Sequence, residues 1–90
     1  MKTNNKYTFE VREIDGIMYD DCWIWNTSYY IGQFTTSAKD VKRAFADYLR
    51  KHHNISFKLN RTIIEDEQDI ITIIDRKTKQ PLFAAIYREQ

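Results

Sequence analysis

One stretch of this chain repeats its apolar residues at helical spacing, and the segments on either side of it alternate. Val41, Phe45, Tyr48, Leu49 and His52 fall in one stripe about 100° wide on a helix, with Ala38 on its margin. Lys39, Arg43 and Arg50 lie nearly opposite, on the side that water would wet. Ser37 reads as the cap, with Asp40 at the third helical position of a short capping box. Arg50, Lys51, His52 and His53 occupy the last turn, where positive charge complements the helix dipole. Asn54 suits the stop. The spacing therefore predicts one helix over about residues 37–53. One helix covers only one face of one sheet, and that limits what the rest can build.

Before the helix, Tyr7, Phe9 and Val11 alternate with Thr8, Glu10 and Arg12, which predicts a half-buried strand over 6–14. Asp15-Gly16 is a strong hairpin signal, and a return strand over 17–25 follows from it. Asn26-Thr27-Ser28 reads as a second turn and Tyr29 to Phe34 as a third strand. Gly32 within that strand suggests a bulge or a close backbone approach.

After the helix, Ile55, Phe57 and Leu59 alternate with polar residues, in a strand that can run on to Ile64. Glu65 to Asp69 is a polar break, Ile70 to Asp75 a β-branched strand, and Arg76 to Gln80 a turn. Pro81 opens the last strand. The predicted class is α+β: an antiparallel sheet in β-β-β-α-β-β-β order, with the helix packed on one face. The later strands carry apolar residues on both faces, Ile70 and Ile74 against Ile71 and Ile73. A strongly bent sheet, or a homodimer packed sheet on sheet, would bury both.

Ninety residues make a single domain over 1–90. No apolar run approaches the roughly 20 residues of a membrane helix. The first six residues lack the apolar core of a signal peptide, and one cysteine fits a reducing compartment. A cytoplasmic protein is the expectation. Charge is uneven: residues 38–62 hold seven basic side chains against Asp40 and Asp47, and both flanks are mildly acidic. Such a middle attracts phosphate or an acidic partner, or is the wet face of a helix.

Both tryptophans fall within three residues, and six of the thirteen aromatics lie between Tyr19 and Phe34. Along a single strand Trp23 and Trp25 share a face with Tyr19 and Asp21, and Met18, Cys22 and Ile24 share the other. Two arrangements stay open. The helix covers the aliphatic face, leaving Tyr19, Trp23, Trp25 and Tyr29 as an exposed platform for a partner. Alternatively the helix rests on the indoles and they are core.

The run Tyr30-Ile31-Gly32-Gln33-Phe34-Thr35-Thr36, followed by Arg43-Ala44-Phe45, resembles the third strand and helix of AP2-type DNA-binding domains. The likeness covers about a fifth of the chain, residues 30–45. It implies three antiparallel strands, one packing helix, and DNA read by arginines and tryptophans on the strands. Arg12, Trp23 and Trp25 stand in that region here, among Glu10, Glu13, Asp20 and Asp21, whose charge opposes phosphate.

No catalytic constellation is visible. His52 and His53 are adjacent, so on a helix they point about 100° apart and cannot chelate one ion as an i, i+4 pair can. Cys22 lacks the neighbouring cation that activates a thiol. Glu65 to Asp69 lacks the glycine and spacing of a calcium loop. The expectation is a protein without catalytic activity, cofactor or metal. It binds a protein partner or itself through Tyr19, Trp23, Trp25 and Tyr29, with no membrane involved. The second expectation is nucleic-acid binding through Lys39, Lys42, Arg43, Arg50, Lys51, Lys58 and Arg61.

Overall fold

The computed structural model of the chain describes residues 5–53 and 61–90. Strands β1 (Asn5–Tyr19) and β2 (Cys22–Ala38) lead into helix α1 (Val41–His52); β3 (Thr62–Glu67), β4 (Ile70–Asp75) and β5 (Pro81–Glu89) follow. They form one five-stranded sheet in the order β2-β1-β5-β4-β3, every neighbouring pair antiparallel. No helix among the described residues is long and apolar enough to cross a membrane.

The β-β-β-α-β-β-β order is therefore wrong: two long strands, not three short ones, precede the helix. Asp15-Gly16 does not turn, because neither residue adopts the left-handed conformation such a turn needs. The chain reverses at Asp20-Asp21 instead, with φ of 51° and 63°, closed by Tyr19 opposite Cys22. Aspartate tolerates that conformation better than most side chains. Where two turns were expected there is one bulge. Asp15 pairs with Thr27 and Gly16 with Trp25, so Asn26 is the extra residue. A second bulge leaves Ile31 unpaired between Tyr30 and Gly32.

Gly16 has a packing reason to be glycine. A Cβ there would stand 3.2 Å from Pro81 Cγ and 3.3 Å from the carbonyl oxygen of Ile24. After the helix, Gln68-Asp69 makes the β3–β4 turn with φ of 53° and 65°. Only the end of the expected polar break is thus a turn; Glu65, Asp66 and Glu67 sit in β3. The strand expected over Ile55 to Leu59 lies outside the described residues.

The helix is shorter than 37–53, and its cap is Asp40, not Ser37, which remains in β2. One Asp40 carboxylate oxygen accepts from the backbone N–H of Lys42 at 3.1 Å and of Arg43 at 3.3 Å. Because β2 runs to Ala38, Asp40 is the residue that stands at the helix start and takes the role. Phe45 and Leu49 are fully buried and rest on Phe9, Val11, Ile71, Ile73 and Ala85. His52, expected on the apolar stripe, is exposed, its ring 4.7 Å from that of Tyr48.

An aromatic stack pins α1 to β2. Phe9 and Phe34 stack at 4.5 Å and 1°, and Phe34 and Tyr48 at 4.1 Å and 10°. The Tyr48 hydroxyl fills the space where a Cβ on Gly32 would stand, so glycine is there for close approach. This stack fixes the helix over the first half of the hairpin and leaves the second half uncovered.

Candidate interaction site

Strand β1 pairs with β5 only from Tyr7 to Glu13. Beyond that the β1–β2 hairpin continues as a two-stranded arm to its tip at Asp20-Asp21. The helix packs over the first half of the hairpin and not over the arm; of the residues expected on an exposed platform, Tyr19, Trp25 and Tyr29 are exposed and Trp23 is half-buried. Large apolar side chains are left in water along the arm and at its base: Ile17, Met18, Tyr19, Ile24 and Trp25 on the arm itself, and Tyr29 and Tyr30 where it leaves the sheet, with Tyr19 64% and Tyr30 58% exposed. Of the other exposed large hydrophobics among the described residues, only Ile86 lies off this hairpin. Single exposed apolar residues are ordinary; a run of them along one hairpin makes that hairpin the candidate site.

Register sorts the arm into two faces. Met18 pairs with Trp23 and Gly16 with Trp25, so the tryptophans share a face with Met18. Ile17 pairs with Ile24 and Tyr19 with Cys22 on the opposite face. Tyr19 does not join Trp23 and Trp25, because the turn at Asp20-Asp21 separates them onto two strands. Tyr29 pairs with Glu13, on the face of α1 but beyond it.

The two indoles differ. Trp25 is 43% exposed, whereas Trp23 is half-buried and its Nε1 is enclosed without a hydrogen-bond partner. Trp25 lines a shallow concavity of about 230 Å³ with Glu65, Glu67, Gln68, Ile70 and Thr72. Glu65 pairs with Thr72 and Glu67 with Ile70, so these belong to the face away from α1. The sheet thus curls until its first edge approaches its last. Curling also buries Ala84, which pairs with Arg12 and Thr72 on that face. On the same face Arg12 donates to Glu10 at 2.8 Å and to the Ser28 hydroxyl at 3.1 Å, bridging β1 and β2.

Strand β2 is an edge strand of 17 residues, and none of them is charged or proline. Edge strands ordinarily carry lysine, proline or inward charge that prevents pairing with other chains. The opposite edge, β3, has six residues, three of them the carboxylates Glu65, Asp66 and Glu67. Among the described residues the two edges are chemically unlike, and β2 is the one without charge. Tyr30, Ile17, Met18 and Ile24 join the site here. The signal for them is the absence of any charge between Asp21 and Lys39.

The basic candidates lie elsewhere. Lys42, Arg43 and Arg50 line one concavity beside α1 with Asp40, Ala46 and Ile64, and Lys39 lines an adjoining one with Asp66. Arg50 is paired with Asp47 at 3.1 Å. Lys51 and Arg61 are exposed, and Lys58 lies outside the described residues. Asp40, Asp47 and Asp66 interleave with these cations, so the field there is mixed.

Among the described residues two titrating groups are perturbed, and neither lines the arm: Tyr87 ties β5 to β3, and Asp75 stitches the β4–β5 turn. Tyr87 is pushed up to about 12 by burial and by donating to both Asp66 carboxylate oxygens at 2.9 Å. Asp75 is held below the usual carboxylate range by the backbone N–H of Thr78 at 2.8 Å and of Lys77 at 2.9 Å. Among the described residues no three His, Cys, Asp or Glu side chains gather as ligands for a metal ion. Compared with family models, curated proteins and solved structures, the chain finds no match.

Proposed function

We propose that this chain is a small non-catalytic binding module that docks on protein through the β1–β2 arm and the edge of β2 that no described strand covers. The observation that carries the reading is the uncharged 17-residue edge strand, which carries exposed Trp25, Tyr29 and Tyr30 and is preceded by exposed Tyr19. An extended edge offers a row of main-chain donors and acceptors for affinity, and its aromatic side chains give specificity. Tyrosine and tryptophan are also the residues that most often dominate interface energies. Trp23, with its enclosed indole, supports the arm, and Trp25 is the indole that meets the partner.

Photo-crosslinking tests this. A benzophenone amino acid replacing Tyr30 should yield discrete protein adducts, and the same group replacing Thr78, on the β4–β5 turn, should not. Trp25→Ala should abolish the adducts while the circular dichroism spectrum stays native. Equal adduct patterns at both positions would refute the reading.

The gathering of Lys39, Lys42, Arg43 and Arg50 around the start and one side of α1 supports a second reading, nucleic-acid binding. Fluorescence anisotropy with duplex and single-stranded DNA at low and moderate salt tests it. Absence of binding at low salt removes it, because phosphate contacts are strongest there.

A further inference from the structure

We infer that the partner on the β2 edge is a second copy of this chain, paired antiparallel along the whole of β2 about a two-fold axis normal to the sheet. The inference rests on the reading of β2 as the docking edge and adds what docks. Strand β3 is guarded by Glu65, Asp66 and Glu67, so an edge-to-edge contact between copies joins β2 to β2. Such a contact is isologous and closes at two copies, whereas β2 on β3 would propagate.

Charge fixes the direction. The residues before β2 are Asp20 and Asp21, and the charged residues just after it are Lys39, Asp40, Lys42 and Arg43, net positive. An antiparallel copy sets each acidic tip beside the basic end of the other. A parallel copy would set like against like.

Side-chain size fits the same register. With bulge residues Asn26 and Ile31 set aside, β2 keeps one position for each of the 15 residues of β1. Reversing that set on itself places Tyr30 opposite Tyr30 of the second copy. Tyr29 then faces Gly32 of the second copy, Trp25 faces Thr35, Trp23 faces Ser37 and Cys22 faces Ala38. Every such pair joins residues that β1 places on the same face of the sheet, as an antiparallel ladder requires. Away from the axis the largest side chains meet small ones, and Asp21 comes beside Lys39 of the second copy. The ladder and the arm's exposed side chains together approach the roughly 20 residues a side of a standard interface.

Cysteine placement tests the register. In this dimer the two native Cys22 thiols lie at opposite ends of the ladder, roughly 45–50 Å apart, and cannot bond to each other. Cys22→Ser with Tyr30→Cys brings two thiols to the two-fold axis, where facing Cα atoms stand about 4.5–5.5 Å apart and admit a disulfide. Mild oxidation of that variant should give a covalent dimer. Cys22→Ser with Thr27→Cys should stay uncrosslinked under the same conditions. Lys39→Glu should raise the dimer dissociation constant about three- to tenfold, and adding Asp21→Asn should recover part of that.

Sedimentation equilibrium of the wild type reads the association itself and does not depend on any variant folding. A monomer at every concentration up to about 0.5 mM, a range weak complexes still populate, overturns the inference. It would leave the docking edge to the crosslinking test above. A dimer that crosslinks equally well through residues 27 and 30 overturns it too.

Discussion

Replacing Gly32 by alanine tests how α1 is seated on β2. The φ of Gly32 is not left-handed, so alanine is tolerated by the backbone and gains about 0.4–1 kcal/mol through the unfolded chain. Against this, the new methyl enters the space of the Tyr48 hydroxyl, with Tyr48 Cζ 3.5 Å and His53 Nε2 3.4 Å away. Tyr48 must move, and overpacking of this kind costs about 1–3 kcal/mol. Moving the ring also weakens its stack on Phe34, about 0.5–1.5 kcal/mol for an aromatic pair. The net expectation is a loss of about 2 kcal/mol. With an m-value of about 1 kcal/mol/M, the urea midpoint falls by about 2 M. Tyr48→Phe removes only the colliding oxygen, and a methyl 3.5 Å from Cζ is then in ordinary contact. The double variant should recover at least about 1 kcal/mol, a coupling larger than distant sites show. If Gly32→Ala costs the same in the wild-type and Tyr48→Phe backgrounds, the packing argument is refuted.

Asp40→Ala should cost about 1 kcal/mol in denaturant melts, the loss of an N-cap accepting two backbone N–H groups. Phe45→Ala should cost about 3–5 kcal/mol, because Phe45 is fully buried in the core. Trp25→Ala should cost well under half of that, and comparable losses in the two melts would place the indole in the core. Stability should fall between about pH 10 and pH 12, because Tyr87 is raised to about 12 and its neutral form is favoured by folding. That contribution is complete below the unfolded value near 10 and is lost as pH rises through the folded one. Tyr87→Phe should flatten the alkaline limb in melts across this range; an unchanged limb would contradict the burial and the Asp66 contact that together raise Tyr87.

The helix is legible in the sequence because Val41, Phe45 and Leu49 repeat at its period, and propensity and pattern agree. Its cap is not, because Ser37 and Asp40 are both good capping residues, and only tertiary structure shows where β2 ends. The hairpin misleads for a comparable reason. Asp15-Gly16 carries the usual turn chemistry and Asp20-Asp21 carries less, yet Gly16 is needed for its closeness to Pro81. A glycine kept for packing looks the same in sequence as one kept for a turn. Moving the turn by five residues changes which side chains share a face, so Tyr19 parts from Trp23 and Trp25. The aromatic run is legible as a candidate surface. The place of β2 at the edge is not, because strand order is set by long-range pairing that no local pattern records. The apolar residues on both faces of the later strands are covered unequally, since Ile86, on the face away from α1, is exposed. Ile71 and Ile73 lie under α1, and curling of the sheet covers Ala84 on the other face.

Amide hydrogen exchange at low and high protein concentration addresses the claim that β2 is the working edge. Exchange in Cys22–Ala38 should slow as concentration rises, with Thr62–Glu67 in β3 unchanged, because only the uncharged edge gains a strand. Equal exchange in β2 at every concentration, or slowing shared by both edges, would contradict it.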